Sequence, residues 1–200
     1  MKVSMSVNLV GSVLSGLIKK DVQNRQTRRE ILKEYRAVMS RASDIGSSNR
    51  LLSSYLLAAF FIAMNRQDGL SADENIEILE TNMRKSRALK AFMGDAKGYF
   101  SEKSMASRRK WSAETHDPAH RQQFPNDWVV DVLEKTEHYQ FGFDYLECGV
   151  CKLCRDEKCP ELAKYLCSLD YMLVEIMGLH LNRTMVLAEG APKCDFRFLK

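Results

Sequence analysis

The sequence predicts an α+β fold, a helical first half followed by a small antiparallel sheet of about four strands with one helix packed against it. Three observations carry this. Apolar residues recur every three to four positions through most of the first 110 residues, and after Asp127 the period changes to two. One helical stretch, from Cys159-Pro160 to Gly178, then interrupts the alternating segments. The composition, 45% apolar and 28% charged with 10 Gly and 4 Pro in 200 residues, excludes disordered, collagen-like and low-complexity readings. The chain divides into a helical region, 1–115, and a cysteine-rich α+β region, 116–200, which together form one compact domain.

Val3, Val7, Val10, Leu14 and Leu17 predict an amphipathic N-terminal helix. Ser4, Ser6, Asn8 and Ser12 break the apolar run, so the segment reads as mature cytoplasmic sequence rather than an export signal. Leu51 to Asn65 reads as a helix buried on most sides. Its apolar core, Leu51 to Met64, falls short of the roughly 20 residues a bilayer span needs, so no membrane span is expected. The turn Gln67-Asp68-Gly69 leads to a capping box at Ser71 and Glu74, and the helix it starts carries Ile76, Leu79 and Met83 on one stripe to a stop at Gly94. A basic helix follows from Asp95 to about Lys110. THDPAHRQQFPND then reads as a connecting loop, in which Pro118 separates His116 from His120 and no third metal ligand is adjacent.

Val130 and Val132, then Tyr139, Phe141, Phe143 and Tyr145, mark two strands. Leu162, Leu166, Leu169, Leu173 and Ile176 form the apolar side of the late helix. Leu181 to Ala188 and Cys194 to Leu199 are strands joined by Glu189-Gly190-Ala191-Pro192. In the last strand Cys194, Phe196 and Phe198 share one face and Asp195 and Arg197 the other, and only one of the two sets can meet the core.

The net charge, 30 Lys and Arg against 26 Asp and Glu, is only +4, which does not point to nucleic acid. Residues 19–41 carry eight basic and three acidic side chains, and residues 84–110 nine and two. Without interleaved aromatics through the first, or a base-reading motif, these segments read as solvated helix faces. An acidic partner or a membrane surface is the other occupant they would suit.

All six cysteines lie in the last 53 residues. In a reducing compartment such clustering implies metal ligation, thiol chemistry or small buried apolar groups. The run CGVCKLCRDEKCP has the spacing C-x2-C-x2-C-x4-C, near that of iron-sulfur sites, so Cys148, Cys151, Cys154 and Cys159 are an alternative ligand set for Zn or an iron-sulfur cluster, or a redox-sensing module, with Cys167 as a spare. No cofactor is the favoured expectation. On the late helix Cys167, Asp170, Tyr171 and Val174 share a side. An aspartate among leucines needs a partner, and Arg183 or Arg197 can supply one.

FGFDYLEC at 141–148, LCSLDYM at 166–172 and NRTMVLAEGAPKCDFRF at 182–198 resemble the L-2-amino-thiazoline-4-carboxylic acid hydrolase family, a set of small bacterial proteins. The resemblance runs from about Trp128 to Phe198. Its motif residues here are Cys148, Cys167, Asp170, Arg183, Thr184, Gly190, Cys194, Asp195 and Arg197, whereas the helical first half is similar only in length and texture. The resemblance implies hydrolysis of a small cyclic amidine, in which water adds to the carbon between ring sulfur and nitrogen and a C–N bond breaks. That chemistry needs a carboxylate for the cationic amidine, an arginine fork for the substrate carboxylate, and a base and acid for proton transfer. Cys167, Asp170, Cys194 and Asp195 are accordingly the candidate catalytic residues, and Arg183, Thr184 and Arg197 the candidate substrate-binding residues. The expected partner is a small-molecule substrate.

Overall fold

A computed structural model of the chain describes residues 5–46, 51–93, 98 and 101–199. Its helices are α1 (Met5–Leu17), α2 (Arg25–Arg41), α3 (Leu52–Gln67), α4 (Ala72–Lys85), α5 (Arg87–Met93), α6 (Glu102–His116), α7 (Pro118–Gln123), α8 (Gly149–Asp156) and α9 (Ala163–Ile176). Its strands are β1 (Val129–Leu133), β2 (Phe141–Glu147), β3 (His180–Asn182) and β4 (Cys194–Leu199). The α+β class is therefore as the sequence predicts.

Helix α3 is buried all round because nine of its residues, Tyr55, Leu56 and Ala58 to Met64, have no polar side to turn to water. Around it, α1 and α2 contribute Val7, Leu14, Ile31, Tyr35, Val38 and Met39. The same apolar cluster continues without a break into Trp128, Val130, Phe141, Phe143, Leu166, Leu169 and Phe198. Asn24 caps α2, accepting from the amides of Gln26 and Thr27. The predicted capping box opens α4, with Ser71 accepting from the Glu74 amide and Glu74 accepting from the Ser71 amide.

The sheet is antiparallel throughout, in the order β1-β2-β4-β3. Pairing sets Phe141 opposite Phe198, Phe143 opposite Phe196 and Tyr145 opposite Cys194, so one face is aromatic and packs under the helices. Phe141 and Phe198 stack at 4.4 Å between ring centroids. Asp144 and Asp195 face each other on the opposite side. The alternation in β4 thus resolves with Cys194, Phe196 and Phe198 inward.

Four expectations change. The predicted helix from Ala72 onward breaks at Ser86, whose extended backbone separates α4 from α5. Its predicted stop, Gly94, the start of the next helix at Asp95, and Val3 lie outside the described residues. The supposed loop after His116 opens with α7, because Asp117 accepts from the Ala119 amide and Pro118 sits at the first helical position. The strand expected over Leu181 to Ala188 pairs only over β3, and a 3-10 turn, Leu187–Glu189, replaces its end. The run CGVCKLCRDEKCP, for which the sequence suggests no regular element, carries helix α8 over Gly149–Asp156. Among the described residues no helix is long and apolar enough to cross a membrane.

Candidate functional site

Where β2 ends, the chain turns into α8 with Cys148 at its N-cap. The turn is tight. A Cβ on Gly149 would lie 2.6 Å from the Asn126 carbonyl oxygen and 2.7 Å from the Trp128 ring, so only glycine lets the start of α8 sit flush on Trp128. The Lys152 ammonium fixes the same corner by donating to the carbonyls of Pro125 (3.0 Å) and Asp127 (2.7 Å). At the far end of α8, Glu157 receives Arg41 Nε at 2.8 Å and Arg66 Nη1 at 2.8 Å, which clamps the helix to α2 and α3.

Between α8, α9 and the aromatic face of the sheet lies a cavity of about 100 Å³. Trp128, Tyr145 and Phe196 form its aromatic walls, and Cys148, Cys167, Cys194, Asp170 and Arg183 bring its chemistry. It is small beside the roughly 300–1,000 Å³ of sites for drug-sized ligands.

Asp170 comes from α9 and Arg183 from the segment after β3. Arg183 Nη1 donates to Asp170 Oδ2 at 2.7 Å, and its Nη2 donates to the Cys167 carbonyl at 2.9 Å. The guanidinium lies 4.9 Å from the centroids of both Tyr171 and Phe196, and only 3% of the side chain is exposed. Its Nε is buried with no acceptor among the described residues. Asp170 keeps 34% of its side chain exposed. Burial pushes its carboxyl up to about 6, with the Arg183 charge and hydrogen bond pulling the other way. A carboxyl in that range can both give and take a proton near neutral pH.

The three cavity thiols differ. Hydrogen bonding from the Cys151 thiol, helped by the amides of Cys151 and Val150, holds Cys148 below the ordinary thiol value, against burial and the Asp170 charge. The two amides lie near the sulfur without closing a capping hydrogen bond on it. Burial, reinforced by Asp170, pushes Cys167 far up. Burial likewise pushes Cys194 up to about 11, and its sulfur accepts from the Leu187 amide at 3.1 Å. Cys148 is therefore the thiol best placed to ionise.

Of the residues singled out in the sequence, Cys167, Asp170, Arg183 and Cys194 come together here. Asp195, Thr184 and Arg197 do not line this cavity, because β4 turns Asp195 and Arg197 to the other face. Asp195 accepts from the amides of Thr184 (2.8 Å) and Met185 (2.6 Å) and from the Thr184 hydroxyl (2.7 Å), an arrangement that ties down the segment carrying Arg183. Burial alone would raise its carboxyl, but these donors hold it below the usual range. Arg197 donates to Asp144 Oδ1 at 2.7 Å and to the Phe143 carbonyl. Cys148, named in the sequence as a motif residue but not among the candidate catalytic residues, also lines the cavity. The available signal was its place at a strand end directly before Gly149.

The four thiols of the alternative metal set lie in two pairs, Cys148 with Cys151 and Cys154 with Cys159. Among the described residues no three His, Cys, Asp or Glu side chains are grouped to hold a metal ion. His116 and His120 point to separate carboxylates, Asp131 at 2.9 Å and Asp127 at 2.7 Å.

Comparison with known proteins agrees with the motifs. The profile of the family described as L-2-amino-thiazoline-4-carboxylic acid hydrolase matches residues 49–198. The match includes α3 to α7, which the motifs alone did not claim. No curated protein and no solved structure gives a significant match. The chain belongs to the L-2-amino-thiazoline-4-carboxylic acid hydrolase family.

Proposed function

We propose that this member of the family is a hydrolase that opens the ring of a small cyclic amidine or thiazoline carboxylate by water addition and C–N cleavage. The observation that carries the reading is the cavity itself, in which a thiol biased toward its thiolate, Cys148, shares a small space with a carboxyl poised near neutral pH, Asp170. The cavity's small volume favours a ring of a few heavy atoms over an extended substrate.

The Cys148 thiolate adds to the ring carbon between sulfur and nitrogen. Protonated Asp170 gives its proton to the ring nitrogen as the C–N bond breaks. The Asp170 carboxylate then takes one proton from water, the water oxygen bonds to the same carbon, and Cys148 leaves as thiolate while the freed amine takes the remaining water proton and the carbamoyl C=O forms. One water is consumed, and the carbamoyl group stays on the substrate sulfur. Arg183 holds Asp170 in place, and its Nε–H, buried without an acceptor, is the donor left for the substrate carboxylate. Cys167 and Cys194 serve as walls, and Asp195, Thr184 and Arg197 as scaffold. This chemistry calls for no cofactor.

The test is turnover of 2-amino-thiazoline-4-carboxylate, followed by mass of the carbamoyl product. Wild type turns it over, and Cys148→Ser and Asp170→Asn each lose at least about 10²-fold in kcat, as expected when a nucleophile or a proton carrier is removed. Cys194→Ser keeps most of the activity. Unchanged turnover in folded Cys148→Ser and Asp170→Asn overturns the mechanism, and no turnover of any small cyclic amidine by wild type overturns the function.

A further inference from the structure

The C-G-V-C run gives α8 a second property that ring hydrolysis does not use. Cys148 occupies the N-cap of α8, and Cys151 is three residues into the same first turn, which the Lys152 amide closes on the Cys148 carbonyl at 3.0 Å. Three residues along an α-helix advance about 4.5 Å and bring the chain most of the way round, so the two Cα atoms stand about 5 Å apart. That separation lies inside the range of roughly 4.4–6.8 Å that a disulfide spans without moving the backbone. The thiols are also unequal. Both are half-buried, but Cys148 lines the cavity and Cys151 lies outside its lining.

We propose that Cys148 and Cys151 are a redox-active dithiol that is oxidised to an intramolecular disulfide by exchange with a small aliphatic disulfide. The Cys148 thiolate attacks one sulfur of the incoming disulfide, forming a mixed disulfide and releasing one thiolate. Cys151 then loses its proton and attacks the Cys148 sulfur, forming the Cys148–Cys151 bond and releasing the second thiol. The two protein thiols are oxidised by two electrons, and the small disulfide is reduced to two thiols. Cys148 lines the cavity and Cys151 does not, so an incoming disulfide meets Cys148 first and Cys151 resolves.

The second pair, Cys154 and Cys159, is an internal comparison. Both are buried, behind the Glu157 contacts with Arg41 and Arg66. They are closed to a disulfide that reaches the cavity. Withdrawal of Cys148 into a disulfide also stops the hydrolysis proposed above. That consequence rests on the hydrolase reading, whereas the exchange does not.

The full chain is equilibrated with bis(2-hydroxyethyl) disulfide, a small aliphatic disulfide, then alkylated and digested with trypsin. Cleavage after Lys135 and Lys152 isolates Cys148 and Cys151 in one peptide, while Cys154 and Cys159 fall in two others. The expected wild-type result is that the 136–152 peptide becomes lighter by two hydrogens and resistant to alkylation, and that a dithiol reductant reverses this. In Cys151→Ser, which lacks the resolving thiol, the 2-hydroxyethanethiol adduct on Cys148 exceeds the wild-type level by at least about tenfold, because the intramolecular step that normally clears it is gone. A 136–152 peptide that stays fully alkylatable in wild type overturns the proposal, as does oxidation confined to Cys154 and Cys159. The readout is mass without substrate, so it stands or falls separately from the hydrolase assay.

Discussion

Replacing Arg183 by methionine isolates what the guanidinium does for Asp170. The charged groups meet through a 2.7 Å bond from Nη1 to Oδ2, with charge centres about 4 Å apart, which at an effective dielectric near 20 is an attraction of about 4 kcal/mol. Net of desolvation, a hydrogen bond to a charged group contributes about 1.5–3 kcal/mol, and each 1.36 kcal/mol is one pKa unit. Asp170 keeps a third of its side chain exposed, so solvent screening holds the effect to the lower end, about one unit. Loss of a cation beside a carboxylate favours the protonated form, and the carboxyl of Arg183→Met therefore moves from about 6 to about 7. At pH 7 its protonated fraction rises from about a tenth to about a half. Infrared difference titration of the carboxyl stretch, with Asp170→Asn as the blank, reads this without substrate. The sign also reaches stability. A folded-state carboxyl above its unfolded value of 3.8 makes ionisation oppose folding as pH rises from about 4 to 6, and in the variant that loss extends to about 7. A midpoint that stays in place or falls would refute the role given to Arg183.

Three further outcomes are expected. Glu157→Gln removes the carboxylate shared by Arg41 and Arg66. Breaking a buried pair costs about 3–5 kcal/mol, but Arg41 is half exposed and Glu34 still reaches both arginines at 2.9 and 2.7 Å, so urea unfolding should read about 2 kcal/mol. Burial alone would raise the Glu157 carboxyl, and the two arginines bring it below 4.5. The stabilisation is therefore full above pH about 4.5 and disappears as pH falls through the lower folded-state value, while Glu157→Gln shows no such acid limb. Asp195→Ala strips the acceptor from two backbone amides and one hydroxyl and lowers stability by about 2 kcal/mol together with activity, whereas Asp195→Asn keeps an acceptor oxygen and stays near wild type in both; a folded but inactive Asn variant would move Asp195 from scaffold to chemistry. Gly149→Ala forces a Cβ against Asn126 and Trp128, costs about 1–3 kcal/mol, and raises the pH at which Cys148 is alkylated by iodoacetamide, since the start of α8 must lift away; an unchanged alkylation profile would separate Cys148 from that helix end.

Much of the fold was legible because short-range rules set it. Alternation in FGFDYLE and CDFRFL needs no partner to be read, and the capping box at Ser71 and Glu74 closes within one turn. Helix α8 was not legible for the opposite reason. Four of its eight residues, Gly149, Lys152, Arg155 and Asp156, carry no apolar side chain, and what holds it is distant: Lys152 on the carbonyls of Pro125 and Asp127, and Asp156 receiving Asn126 at 2.9 Å. The end of β3 misled similarly, since Leu181 to Ala188 alternates well enough to pair, yet the three bonds to Asp195 pull Thr184 and Met185 out of register.

The candidate site divides along the same line. Sequence spacing put Cys167 and Asp170 on one side of a helix and left Arg183 and Arg197 as equal partners for the carboxylate. The choice between them was decided by a two-residue period, because the inward turn of Phe196 and Phe198 carries Cys194 to the cavity and sends Asp195 and Arg197 away from it. Arg183 lies outside β3 and escapes that alternation, so it can cross between Tyr171 and Phe196 to reach Asp170. Asp195 then holds the Arg183 segment from the far face, so the sheet is the boundary between residues that line the cavity and residues that hold them in place. Two aspartates that look interchangeable in a motif are in this way given opposite surroundings: Asp170 is half-buried beside one cation and its carboxyl is pushed up to about 6, while Asp195 receives three donors that hold its carboxyl below the usual range.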